Sequence, residues 1–262
     1  MKKEYKVIIA GGLFIFALAI VVFTSLNKYM DGQTESDVRS IGKVYLQGIV
    51  NEELEHFNSI KTIRFTQINS MVKELQKNGT DDTAGSYEII KNAAEFQDLA
   101  SCALFSEDGS IETVYGPKVE KLGDESYLRS SLKEGKHVVT GGWDADGQQL
   151  VIYAAPIAVK MTNGTHSMGL LWCKTMTSFS DLVNLDDENS LVYFHLVRRN
   201  GTYVIRTRDS VGESFFDKMT GHSEPIGMSP EAAIEKLKNA INTNSEFEMH
   251  TIYTDENTGI KE

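Results

Sequence analysis

The stretch Ala103-Leu-Phe-Ser-Glu-Asp-Gly-Ser-Ile-Glu-Thr-Val114 decides how this chain is read. Two short apolar runs flank a charged turn that ends in glycine. Asp108-Gly109 supplies the positive-φ residue that a tight hairpin needs. The expected strands are Ser101–Phe105 and Ile111–Tyr115. Gly116–Gly135 follows, with a helix expected over Asp124–Lys133. Then come three more apolar runs, Val138–Thr140, Leu150–Ile157 and Ser167–Lys174, with Asp146-Gly147 marking another turn. A hairpin, a helical excursion and three further strands predict an α+β module with an antiparallel sheet over residues 85–176.

The pattern begins again at His195-Leu-Val-Arg-Arg-Asn-Gly-Thr-Tyr-Val-Ile-Arg206. Ser229-Pro230-Glu231 then reads as an N-cap, a proline at the first helical position and an acid in the first turn. Ile234, Leu237 and Ile241 form the apolar stripe of that helix, and Phe247–Tyr253 reads as a third strand. This second module, 189–262, lacks the last two strands that would close its sheet. An uncovered sheet edge is a liability, so the chain is expected to be a fragment of a longer product.

Upstream, Thr34–Lys77 contains no proline. Val50, Leu54, Phe57 and then Phe65, Ile68, Met71 or Val72, and Leu75 fall at helical spacing. A helix over 33–78 would be ~60 Å long and would stop at Asn78-Gly79. It is expected to pack along its own domain and to serve as a stalk through which two copies pair. A short helix follows at Tyr87–Gln97.

The N-terminus explains where such a stalk would lead. Met1–Lys6 carries three lysines, and Val7–Thr24 carries no charge. At ~1.5 Å per residue that run nearly spans a hydrocarbon core of ~30 Å. A transmembrane helix over 7–25 is expected, with residues 1–6 cytoplasmic and the body outside the plasma membrane. A cleaved signal peptide is the rival reading. Its apolar core would be ~7–15 residues and would end at a small-x-small site, which Ser25–Met30 does not offer. A buried core helix is the third.

Composition narrows the functions. The chain is 41% hydrophobic and 24% charged, with a formal charge of −11 spread along its length. That balance argues against nucleic acid as a partner. Cys102 and Cys173 match no zinc spacing; they are either two buried thiols or a disulfide formed in an exported domain. No G-x-S-x-G, H-E-x-x-H or P-loop is present. The six histidines are scattered, and Asp186-Asp187-Glu188 reads as a solvated cap more readily than as a calcium site. Gly141-Gly142-Trp143-Asp144 partly matches a cyclase signature but lacks the Glu-Phe that would follow. No catalytic residue, metal site or cofactor is expected within this chain.

An anchor, a stalk and two PAS-like modules in tandem resemble the double Cache sensor region of bacterial transmembrane receptors. The residues that carry the resemblance are Phe105-Ser-Glu-Asp-Gly109, Asp124-Glu-Ser-Tyr127-Leu128, Tyr153-Ala-Ala-Pro156-Ile157 and Met168-Gly169-Leu170. The stretches Val192–Arg206 and Gly212–Asp217 are similar to the extracellular half of hybrid sensor histidine kinases and of related diguanylate cyclases. The resemblance runs from Thr34 to the end of the chain. It implies a ligand-sensing region of a signal-transduction receptor, foremost a histidine kinase of a two-component system whose output lies outside this chain. A cyclase or chemoreceptor output, an anchored binding protein without output, and an anchored extracellular enzyme are the alternatives.

In the family the ligand pocket lies between the sheet and the helical excursion of the distal module. Carried onto this sequence, the resemblance implies Tyr127 and Arg129 on the helix, Trp143 and Asp144 entering the third strand, Tyr153 on the fourth, and Tyr115 at the flank. The arginine would grip a carboxylate in bidentate fashion, the aromatics would wall the pocket, and Asp144 would hold an amine. In amino-acid-binding members aromatic residues follow the arginine, whereas Ser130 and Ser131 follow it here. A small polar or carboxylate ligand, an amino acid, and no ligand at all therefore stay open.

Overall fold

The computed structural model describes residues 2–183, 195–205, 214–221 and 223–253 without 244, 246, 248 and 250; through residue 39 it describes mostly backbone. The chain divides into two units, Met1–Glu55 and His56–Glu262. The described residues of the first unit belong to helix α1 (Lys2–Asn78), which is longer than the stalk expected over 33–78. Among the described residues no helix is long and apolar enough to cross a membrane. The side chains of the run 7–25 lie outside that description, Thr24 excepted.

The second unit is built on an antiparallel sheet. After the end of α1 come α2 (Thr83–Phe96), β1 (Ser101–Ser106), β2 (Ile111–Tyr115), β3 (Val119–Leu122), α3 (Glu125–Lys133), β4 (Val138–Asp144), β5 (Gln149–Pro156), β6 (Ser167–Thr175) and α4 (Met176–Val183). The six strands lie in the order β2-β1-β6-β5-β4-β3. Five of them sit where apolar alternation and turn residues placed them. Gly109 and Gly147 take φ of +91° and +78° at the two expected turns, a region that glycine enters without steric cost. Two elements escaped the sequence. β3 is a short edge strand with two charged residues, and α4 follows β6 without a break.

Both faces of the sheet are covered. One face packs on Ile68, Met71 and Leu75 of α1 and on Ile90 and Ala94 of α2. The other packs on Leu128 and Leu132 of α3. Side chains alternate between the faces with a period of two, so register decides which residues meet. Tyr115, Cys102, Trp172, Tyr153 and Val139 align across five strands as one row on the α1 face. Cys102 pairs with Trp172, and Cys173 pairs with Ser101. The two cysteines therefore point to opposite faces, and both are free thiols. Burial pushes both thiols well above their ordinary range.

Gly141 and Gly142, which partly match a cyclase signature, have a packing role in β4. A Cβ on Gly142 would lie 2.8 Å from the Lys121 carbonyl oxygen and 2.6 Å from Ile152 Cδ1. A Cβ on Gly141 would lie 3.0 Å from the carbonyl oxygen of Tyr203. Only a bare backbone allows β3 and the later hairpin to approach β4 so closely.

That hairpin is β7 (Leu196–Val197) and β8 (Tyr203–Ile205). Its Val204 and Ile205 join the α1-face core. Then come α5 (Phe215–Gly221), β9 (Ser223–Pro225), α6 (Pro230–Thr243) and β10 (Thr251–Tyr253). The Ser229 hydroxyl accepts from the Ala232 amide at 3.3 Å, the cap that the sequence predicts. The expected third strand is present over its last residues, and it pairs antiparallel with β9. β4 pairs with β3 in the same antiparallel way. Asp186-Asp187-Glu188 and the stretches 192–194, 206–213 and 254–262 lie outside the described residues.

Candidate functional site

The site grows from the first turn of α3. Asp124 caps that helix: its Oδ1 accepts from the Tyr127 amide at 3.0 Å and from the Ser126 hydroxyl at 3.1 Å. Its Oδ2 accepts from the Asn200 side-chain amide at 2.9 Å. Burial raises the Asp124 carboxyl, but these donors and the charge of Arg198 outweigh burial and hold it below its ordinary value. One carboxylate thus fixes the helix start and a residue of the β7–β8 turn.

The turn is tight. The Arg198 amide donates to the Thr202 carbonyl, the Gly201 amide to the Arg198 carbonyl, each at 2.9 Å, and Asn200 Oδ1 accepts from the Thr202 amide at 3.1 Å. Arg198 turns back onto the sheet. Its Nη2 donates to the Val139 carbonyl at 2.6 Å, and its guanidinium lies 3.8 Å from the centre of the Tyr127 ring, within cation–π range. Its buried Nε has no hydrogen-bond partner among the described residues.

These residues border a cavity of about 610 Å³. Phe57 and Lys61 of α1 form one wall, Asp124 and Tyr127 another, and Val139 and Val204 the floor. Leu196–Asn200 closes it. Phe57, Val139, Leu196, Val197 and Val204 make the interior largely apolar. Among the described lining residues, Lys61, Arg198 and Arg199 are the cations and Asp124 the carboxylate. A smaller cavity of about 450 Å³ lies between α1 and α2, with Trp172 at its base. The indole Nε1 of Trp172 is buried and unpaired among the described residues.

Of the six residues implied by the family resemblance, Tyr127 lines the larger cavity and is 46% exposed. Arg129 pairs with Glu125 on the surface of α3, with its guanidinium 5.6 Å from the centre of the Phe105 ring. Trp143 lies within β4, which runs on to Asp144 past the expected end at Thr140, and the Lys121 ammonium is 5.3 Å over its ring. Asp144 is buried and accepts from the amides of Asp146 at 3.0 Å and Gln148 at 2.8 Å, which shapes the β4–β5 turn. Tyr153 and Tyr115 belong to the row on the α1 face, across the sheet from α3. Tyr153 is buried against Phe65, ring centres 5.9 Å apart, and its hydroxyl has no partner among the described residues. Strand alternation is the reason that Tyr127 and Tyr153 do not meet. The six do not converge on one cavity.

Lys61, Arg198, Arg199 and Asn200 border the larger cavity, although the sequence does not single them out. The signal was the basic pair in Arg198-Arg199-Asn200-Gly201, which read only as a charged hairpin turn. No known protein family matches the sequence, and no curated protein does. Solved structures are similar to it. The ligand-binding domain of the Pseudomonas aeruginosa amino-acid chemoreceptor PctC, in complex with GABA, shares 19% identity over 63% of this chain and 75% of its own, with a TM-score of 0.45. That of PctB from the same organism, with L-Gln, shares 13% over 71% and 80%, with a TM-score of 0.49. That of the Pseudomonas fluorescens chemoreceptor CtaA, with L-alanine, shares 14% over 70% and 84%, with a TM-score of 0.47.

Proposed function

We propose that this chain is the extracytoplasmic ligand-sensing region of a membrane-anchored signalling receptor. The observation that carries the reading is that a single helix, α1, includes both the uncharged run Val7–Thr24 and the core residues Ile68, Met71 and Leu75 that cover the sheet. Residues 7–25 form the anchor, with the N-terminus cytoplasmic. The exposed Leu46, Val50 and Leu54, spaced i, i+4, i+8 on α1, support pairing of two stalks in a homodimer. Residues 189–262 form a second PAS-like module. Apart from the inserted α5, its order of hairpin, strand, helix and strand and its β9–β10 pair parallel the order and the β3–β4 pair of the first.

The ligand is a small molecule held in the larger cavity. A ligand shifts the receptor only by its differential affinity for two packings. A histidine kinase is the favoured output; a chemoreceptor or a diguanylate cyclase fits the same sensor. In spheroplasts the chain should fractionate with membranes, and added protease should digest the body while sparing an N-terminal tag. A metabolite library should contain at least one compound that raises the melting temperature of the purified full chain. A library without any such compound would leave an anchored binding or scaffold protein as the better reading.

A further inference from the structure

We infer that the cavity between the β7–β8 turn and the start of α3 selects a carboxylate without an ammonium group, and that the bound carboxylate fastens the turn to the sheet. The inference rests on the sensor reading and names the ligand class of the same site. Three observations carry it. The first is charge. In a chain of formal charge −11, this cavity gathers Lys61, Arg198 and Arg199 against Asp124. A concave site with one excess sign concentrates the opposite ion.

The second is an unsatisfied donor. Arg198 is half-buried, gives Nη2 to the Val139 carbonyl and stacks on Tyr127, yet its Nε–H has no acceptor among the described residues. A buried donor left unpaired is costly, and a carboxylate approaching the guanidinium edge would satisfy it. Lys61 stands on the opposite wall as a second cation, its ammonium donating to Asn58 Oδ1 at 2.7 Å.

The third is what the cavity lacks. Among the described residues Asp124 is its single acidic side chain, and that carboxylate already accepts from Tyr127, Ser126 and Asn200. An α-ammonium would meet Lys61 and Arg198 and, among the described residues, no free carboxylate. Phe57, Val139 and Val204 offer apolar wall to an uncharged tail. The favoured ligand is therefore a carboxylate with a short apolar or hydroxylated body, in preference to an amino acid.

The test uses the purified full chain in detergent micelles. Propionate, lactate and pyruvate are compared with propionamide, lactamide and alanine by thermal shift, and the binders by calorimetry and hydrogen exchange. The inference expects the carboxylates to raise the melting temperature, the amides and alanine to leave it unchanged, and exchange to slow over 196–205 and 124–128. Lys61→Met leaves the turn intact and should weaken binding at least tenfold. Arg198→Lys keeps a charge but loses the planar fork and should do the same. A shift of equal size with the amides, or binding unchanged in both variants, would overturn the inference. If a different class of metabolite alone stabilises the chain, this assignment falls and the sensor reading stands. If nothing stabilises it, both fall.

Discussion

The two faces of the six-stranded sheet are covered in different ways. The α3 face is closed by aliphatic and aromatic side chains: Phe105, Leu128, Leu132, Ile152 and Leu171 meet with little or no exposure. The α1 face carries larger and more polar residues. Tyr153 and Trp172 lie side by side in one cross-strand row, each with a buried polar atom unpaired among the described residues. The two cavities described above both reach α1. One face is spent on cohesion. The other gives up hydrogen bonds and volume, and that is where a ligand has room to act.

The contrast makes ranked predictions. Phe105→Ala removes a fully buried ring from the closed face and should cost about 3–5 kcal/mol in urea unfolding. Gly142→Ala forces the Lys121 carbonyl to move and should cost about 1–3 kcal/mol. Gly141→Ala presses instead on the Tyr203 carbonyl, so it should speed hydrogen exchange at 203–205 more than elsewhere. Uniform exchange in that variant would show that the hairpin does not depend on the close approach.

Asp124→Ala removes the α3 cap and the grip on Asn200, and should cost about 0.5–2 kcal/mol. This carboxyl sits below its ordinary value in the folded chain. Its contribution is therefore complete above the unfolded value of about 3.9 and fades as pH falls through the lower folded value. The wild-type and Asp124→Ala stability curves should converge on acidification; parallel curves would remove Asp124 from the linkage. The smallest effect belongs to the open face. Tyr153→Phe deletes a hydroxyl that has no partner among the described residues and should change stability by less than about 0.5 kcal/mol or increase it. A loss comparable to that of Phe105→Ala would mean that the two faces are equally cohesive.

Much of the fold was legible because it rests on local chemistry. Asp108-Gly109 and Asp146-Gly147 place their turns wherever the flanking strands go. Asp124 and Ser229 cap their helices through neighbouring amides, and Ile68, Met71 and Leu75 share a face by helical spacing alone. β3 was illegible because Val119-Glu-Lys-Leu122 has too little apolar alternation to mark a strand; pairing with β4 makes it one. β4 was read too short because Gly141-Gly142 lowers strand propensity, and the need for bare backbone there arises only when β3 and β8 arrive.

The candidate site divides in the same way. Tyr127, implied by the family resemblance, borders the larger cavity. Arg198 and Asn200 are not implied by it, because their partners, Tyr127, Val139 and Asp124, are remote in sequence and meet them only in the folded chain. By itself the sequence determined the periodicities, the caps and turns, the uncharged run at the N-terminus and the acidic balance, since each depends on residues within a few positions of one another. Tertiary structure alone decided which face Tyr153 and the two cysteines occupy, since strand register sets that, and where three cations converge, since that requires α1, α3 and the hairpin to meet around one cavity.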